Sequence, residues 1–213
     1  MRRIALLLAV TLLVWSAQTA AAQMQLTQAA GLAALPQTAA AETLETANPI
    51  VVIETTKGVI KVELYPEEAP KTVENFLKYV DDGHYDDTIF HRVIGRSIIQ
   101  GGGYTPELQE KPTRKPIPLE AAIGLQNVRG TIAMARTASR DSATAQFFIN
   151  VGTNKDFDRS ADNFGYAVFG RVIEGMEVVD LISKAQTSRR PPFDDIPILP
   201  VIIEKVRRAP PPK

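Results

Sequence analysis

The stretch Ile89-Phe90-His91-Arg92-Val93-Ile94, then Gly95-Arg96-Ser97, then Ile98-Ile99-Gln100-Gly101-Gly102-Gly103, reads as two short strands around a turn. Branched and aromatic residues fill both runs, and the residues between them offer nothing to bury. The three glycines mark a tight backbone bend in a sheet rather than a phosphate cradle. Short apolar runs of the same kind recur at 130–135, 147–151, 167–172 and 201–206, with turn residues between them. Several short strands at this spacing argue for a closed sheet. In the run that begins Phe147-Phe148, the two-residue period of a strand puts the two rings on opposite faces.

Working outward, 50–55 and 59–64 are β-rich runs separated by Thr56-Lys57-Gly58, a hairpin signal in which Gly supplies the turn. Pro66 and Pro70 end the second run. Pro70 suits the first turn of a helix, where its missing N–H costs nothing. Val73, Phe76, Leu77 and Val80 then form one apolar stripe, closed by Asp82-Gly83. A second helix is predicted over 176–184, with Val178, Val179, Leu181 and Ile182 as its buried side. Residues 191–200 read as a proline-rich loop. One domain is expected over 49–207, preceded by a poorly ordered linker at 23–48 and followed by a disordered tail at 208–213.

Residues 1–22 are expected to be removed before folding. Arg2 and Arg3 precede the apolar run 4–15, and small residues follow with an A-x-A pattern at Ala20 to Ala22. This order reads as a secretory signal peptide cleaved after about Ala22. The apolar run is well short of the ~20 residues that span a bilayer. A periplasmic location without membrane insertion after cleavage is the expectation. The chain of 213 residues has 24 basic and 24 acidic side chains and no Cys. Losing Arg2 and Arg3 leaves the mature form slightly acidic, with no bulk attraction for nucleic acid or anionic lipid. No disulfide framework and no thiol chemistry are possible.

Most catalytic signatures are missing. His84 and His91 are the only histidines, and their spacing without Cys does not suit a zinc site. Ser97 does not sit in a nucleophile elbow, and neither a P-loop nor a dinucleotide fingerprint is present. No metal and no cofactor are expected.

Three separated blocks carry the positive signal: Phe90-His91-Arg92-Val93-Ile94 with Gln100-Gly101-Gly102; Ser142-Ala143-Thr144-Ala145-Gln146-Phe147-Phe148-Ile149-Asn150; and Phe164-Gly165-Tyr166-Ala167-Val168-Phe169-Gly170-Arg171-Val172 with Gly175-Met176. In this order and spacing they resemble the cyclophilin-type peptidyl-prolyl cis-trans isomerases, from about Pro49 to Val206. Residues 131–137 resemble the bacterial periplasmic branch. The resemblance implies a mostly β fold: a closed eight-stranded antiparallel β-barrel capped by two α-helices. It implies catalysis of rotation about X-Pro bonds in unfolded or partly folded exported polypeptides, by a monomer.

By the same resemblance Arg92 is the catalytic arginine and Gln100 the glutamine that orients it. Phe148 is the aromatic floor of the proline pocket, and Ile98 and Phe157 complete its wall. Ala135 and Arg136 would lie on the strand that pairs with the substrate backbone, with Gln146 near enough to hydrogen-bond it. Tyr166 stands where many relatives have His. His91 is read as structural. Ser97 departs from the pattern, since relatives usually carry Phe there. Around residues 154–158 the alignment stays open: Phe157 matches either the family aromatic or the Leu after it. A small, polar Ser97 leaves a second reading, a weakly active or inactive module that binds proline-containing segments as a holdase.

Overall fold

A computed structural model describes residues 48–121 and 125–210. The expected leader, and all of the expected linker except Asn48, lie outside the described residues. So do 211–213 of the expected tail.

β1 (Ile50–Thr55) and β2 (Gly58–Leu64) form the predicted hairpin. α1 (Pro70–Asp81) follows with Pro in its first turn, and it buries Val73, Phe76, Leu77 and Val80 as the stripe requires. Its N-terminus has no side-chain cap of its own. Glu120, far along the chain, accepts hydrogen bonds from Lys71 N, Thr72 N and Thr72 Oγ1 instead. An anion there satisfies orphan N–H groups and complements the helix dipole.

The expected strand at 89–94 is two strands, β3 (Thr88–Ile89) and β4 (Arg92–Ile94). Consecutive burial of Phe90 and His91 breaks the alternation a single strand needs. Phe90 N–H donates to Val201 O, and Ile89 N–H to Tyr104 O, so the backbone changes partners at this point. β5 (Ile98–Gly101), β6 (Thr131–Met134), β7 (Phe147–Asn150) and β8 (Val168–Glu174) come next. α2 (Met176–Ser183) starts from Gly175, whose backbone is left-handed at φ 90°. A Cβ there would meet Val59 O at 2.3 Å. α2 buries Val179 and Ile182, but Leu181 is exposed, contrary to the predicted buried side.

The loop expected at 191–200 is mostly a separate hairpin, β9 (Thr187–Arg190) with β10 (Phe193–Pro197), turned at Pro191-Pro192. β11 (Ile202–Arg208) pairs with β1 and β3 and runs one residue into the expected tail. Ala209 N–H still donates to Ile50 O.

The main sheet has nine antiparallel strands in the order β3-β11-β1-β2-β8-β6-β7-β5-β4. Its two edges, β3 and β4, are consecutive in the chain and separated only by Phe90 and His91, so the sheet must curl strongly. No strand pairing joins β3 to β4 among the described residues. The sheet is strongly curled and has nine strands where eight were expected, the extra strand arising from the split at Phe90-His91. The core lies against one face of the sheet, where Val93, Ile99, Ile132, Phe147, Ile149 and Phe169 meet Phe76 of α1 and Val179 and Ile182 of α2.

Candidate active site

Strand alternation puts a second set of side chains on the other face. Cross-strand pairing links Arg92 to Gln100, Gln100 to Phe148, Phe148 to Ala133, and Ala133 to Val168. This row crosses five neighbouring strands, so its members share one face. The adjacent row holds Ile94, Ile98 and Asn150. Ile98, Ala133, Phe148 and Val168 form a small buried cluster apart from the main core, with Ile94, Ala135, Phe157 and Tyr166 packed on it.

Three aromatic rings shape this patch. Phe148 lies edge-on to Phe157 at 5.7 Å and to Tyr166 at 5.4 Å, and Phe157 meets Tyr166 at 5.1 Å. Phe157 therefore belongs to the apolar wall. Its turn is fixed by Asn127 Nδ2, which donates to Phe157 O, while Tyr166 N–H donates to the same carbonyl.

A polar edge borders the patch. Arg92 Nη1 donates to Gln100 Oε1 at 3.4 Å, and Gln100 Nε2 donates to Gln146 Oε1 at 3.0 Å. The Gln146 side chain lies over the backbone of Gly103, where an added Cβ would come within 2.7 Å of Gln146 Cγ. Glycine there leaves room for the Gln146–Gln100–Arg92 chain. At Gly102, with φ 84°, a Cβ would strike the rings of Tyr85 and Phe147. The triple glycine thus works as a close-packed bend, as the sequence indicated.

Ala135 and Arg136 were expected on a strand and lie just past the end of β6. β6 ends at Met134 and up to that residue is paired on both sides, to β7 and β8. Ala135 N–H donates to Gln146 O. Arg136 stacks over Tyr166 at 4.7 Å and donates from Nε to Gly165 O. These contacts tie Arg136 to Tyr166 and to the 165–166 backbone.

Ser97 lines a groove of about 490 Å³ with Thr153, Asn154, Lys155, Asp156 and Phe157. Ser97 Oγ donates to Asn154 Oδ1 at 2.8 Å, and Asn154 Nδ2 donates to Ser97 O and to Asn150 Oδ1. The apolar patch therefore opens on this side to a polar wall. A groove of about 530 Å³ lined by Lys57, Leu181, Lys184, Ile198 and Leu199 shares no residue with this site.

Two features escaped the sequence. Asp195 on β10 places Oδ2 3.9 Å from Arg92 Nε. Phe193, on the same strand, packs against Tyr104 at 4.9 Å and His91 at 5.8 Å. The one available signal was Pro191-Pro192 as a hairpin turn between two polar strands. His91 itself is buried, and its Nδ1 has no hydrogen-bond partner among the described residues. Burial, reinforced by the neighbouring Arg92 charge, lowers its pKa to about 4. At neutral pH it is an uncharged core residue. No three His, Asp or Glu side chains converge as metal ligands among the described residues. The site can grip an apolar ring and present a fixed cation beside it.

Residues 50–208 match the family model described as cyclophilin type peptidyl-prolyl cis-trans isomerase. The chain is 46% identical over 162 residues to peptidyl-prolyl cis-trans isomerase A of Dickeya dadantii, covering 76% of this chain and 85% of that one. It is 48% identical over 160 residues to isomerase B of Escherichia coli, covering 74% and 98%. A crystal structure of a cyclophilin-type isomerase from Cryptosporidium parvum, determined in the presence of the dipeptide Ala-Pro, superposes with a TM-score of 0.63 at 26% identity. That match covers 76% of this chain and 99% of the other. The chain therefore belongs to the cyclophilin-type peptidyl-prolyl cis-trans isomerases.

Proposed function

We propose that this isomerase turns X-Pro bonds in polypeptides exported to the periplasm, with Arg92 as the catalytic group and the Phe148 patch as the proline seat. The observation that carries this reading is the cross-strand row Arg92–Gln100–Phe148–Ala133. It sets a permanent cation about two strand spacings, ~10 Å of backbone, from an aromatic floor.

Rotation about the peptide bond is opposed by ~18–20 kcal/mol of lost resonance. No covalent chemistry is needed to lower this barrier. As the bond twists, the proline nitrogen regains a lone pair. An N–H aimed at that lone pair binds the twisted amide better than either planar form, which is the condition for catalysis. A guanidinium suits the task because it stays charged and its donors are held in a plane. The half-buried rings of Phe157 and Tyr166 and the buried Ile98 and Phe148 hold the proline ring still while the acyl side rotates.

Every group in the row comes from one chain, which suits action as a monomer on unfolded or partly folded clients. Arg2-Arg3, the apolar run 4–15 and the small residues before Gln23 support export.

The test is Arg92→Ala in a coupled isomerisation assay on an Ala-Pro peptide. A positioned transition-state donor is worth ~2.7–4 kcal/mol, so kcat/KM should fall roughly 10²-fold or more. The Tm should hold, because the Arg92 side chain is about half exposed (49%). Undiminished turnover would remove this role for Arg92, and negligible turnover by the wild type would favour the holdase reading.

A further inference from the structure

Arg92 is held from two directions by two different elements. Gln100, its cross-strand neighbour on β5, accepts from Nη1 at 3.4 Å. That is a long hydrogen bond for a side chain with as much rotamer freedom as arginine. On the other side Asp195 Oδ2 stands 3.9 Å from Nε. Asp195 belongs to the β9–β10 hairpin, which lies outside the nine-stranded sheet.

The hairpin is fastened to the residue next to Arg92. Phe193, Tyr104 and His91 form a trio with ring separations of 4.9, 5.8 and 4.8 Å. Phe193 and Asp195 are two residues apart on one strand, so a hairpin clamped at Phe193 carries Asp195 to a fixed place beside β4. The strand pairing is irregular between Phe193 and Ile196, the interval that holds Asp195. Such irregularities re-aim side chains. The effect is visible in the two adjacent acids. Asp194 turns to Arg189 of its own hairpin at 3.0 Å, whereas Asp195 turns to Arg92.

We propose that Asp195 is a positioning residue for Arg92: its carboxylate narrows the orientations of the guanidinium and steers the Nη donors over the proline seat. This rests on the reading of Arg92 as the catalytic group. The carboxylate approaches Nε, on the stem side of the guanidinium, which leaves outer N–H groups for substrate. Two holders from separate elements, Gln100 from the sheet and Asp195 from the hairpin, define an orientation that either alone leaves loose.

The experiment compares wild type, Asp195→Asn, Asp195→Glu, Arg92→Ala and the Asp195→Asn/Arg92→Ala double variant in the coupled Ala-Pro assay. Asp195→Asn should lower kcat roughly two- to fivefold, the span of a partly exposed ion pair. KM should stay within about twofold and Tm should hold. Asp195→Glu should recover most of the loss. Raising salt to about 1 M, where the screening length falls to ~3 Å, should bring wild-type kcat down toward that of Asp195→Asn and leave the variant flat. In the Arg92→Ala background, Asp195→Asn should have no further effect. Asp195→Asn turning over as fast as wild type, or costing the same with Arg92 absent, would overturn the positioning role while leaving that of Arg92 intact. Full activity in Arg92→Ala would overturn both, and the two failures are told apart by that single variant.

Discussion

Acid should destabilise this protein through His91, and replacing that residue should remove the effect. His91 is 3% exposed, and burial lowers its pKa to about 4. In the unfolded chain the imidazole takes a proton near 6.5. Between these values the unfolded state binds the proton and the native state does not, so stability falls as pH drops through this window. A tenfold difference in proton affinity between the two states is worth ~1.4 kcal/mol, which caps the effect at ~3 kcal/mol and gives about 2 kcal/mol between pH 7 and pH 4.5. For a domain of this size that corresponds to roughly 4–8 °C in Tm. Carboxylates titrate over part of the same range. His84 also has a lowered pKa, mainly from burial. The measurement is therefore a difference: urea unfolding at both pH values for wild type and His91→Phe. The phenyl ring keeps the packing on Tyr104 and Phe193 but cannot charge. Whatever its stability at pH 7, His91→Phe should lose about 2 kcal/mol less than wild type on acidification. Parallel losses in the two proteins would refute the argument and show that the buried imidazole is solvated or paired when protonated.

Ser97→Phe should raise kcat/KM about fivefold, since an apolar wall worth ~1 kcal/mol would face the proline ring. It should also lower Tm slightly by breaking the Ser97–Asn154 bond. A flat or lower kcat/KM in the folded variant rejects the missing-wall account. Gly103→Ala should cut kcat/KM several-fold with a smaller change in stability, because its Cβ displaces Gln146 and, through Gln100, Arg92. Wild-type kinetics in Gly103→Ala would show that the glutamine chain does not support Arg92. Mass spectrometry of periplasmic extract should find a mature N-terminus near Gln23, and an intact Met1 on membrane-bound protein would contradict export with cleavage.

Local elements and the chemistry of the site are legible along the chain. The 3.6-residue stripe of α1 and the two-residue alternation through Phe147-Phe148 are properties of neighbouring residues alone, and both appear as read. The motif residues Arg92, Gln100, Gln146 and Phe148 could be named because the two blocks that hold them resemble the cyclophilin family. Whatever depends on partners distant in the chain waits for the folded molecule. The strand expected at 89–94 divides because its two halves pair with different strands, β11 and β5, a choice no local pattern encodes. The run expected at 130–135 keeps strand form only over Thr131–Met134, the stretch that finds partners on β7 and β8. Leu181 fits the apolar spacing of α2 yet faces out, since which arc of a short helix is covered depends on what packs against it. Asp195 reaches Arg92 across about a hundred residues of chain, through a hairpin whose prolines locally suggest a loop and whose place is set by Phe193 packing on Tyr104 and His91. Periodicity and turn chemistry act over a few residues and can be read in order. Pairing, burial and the company of a charge are settled only when the chain closes on itself.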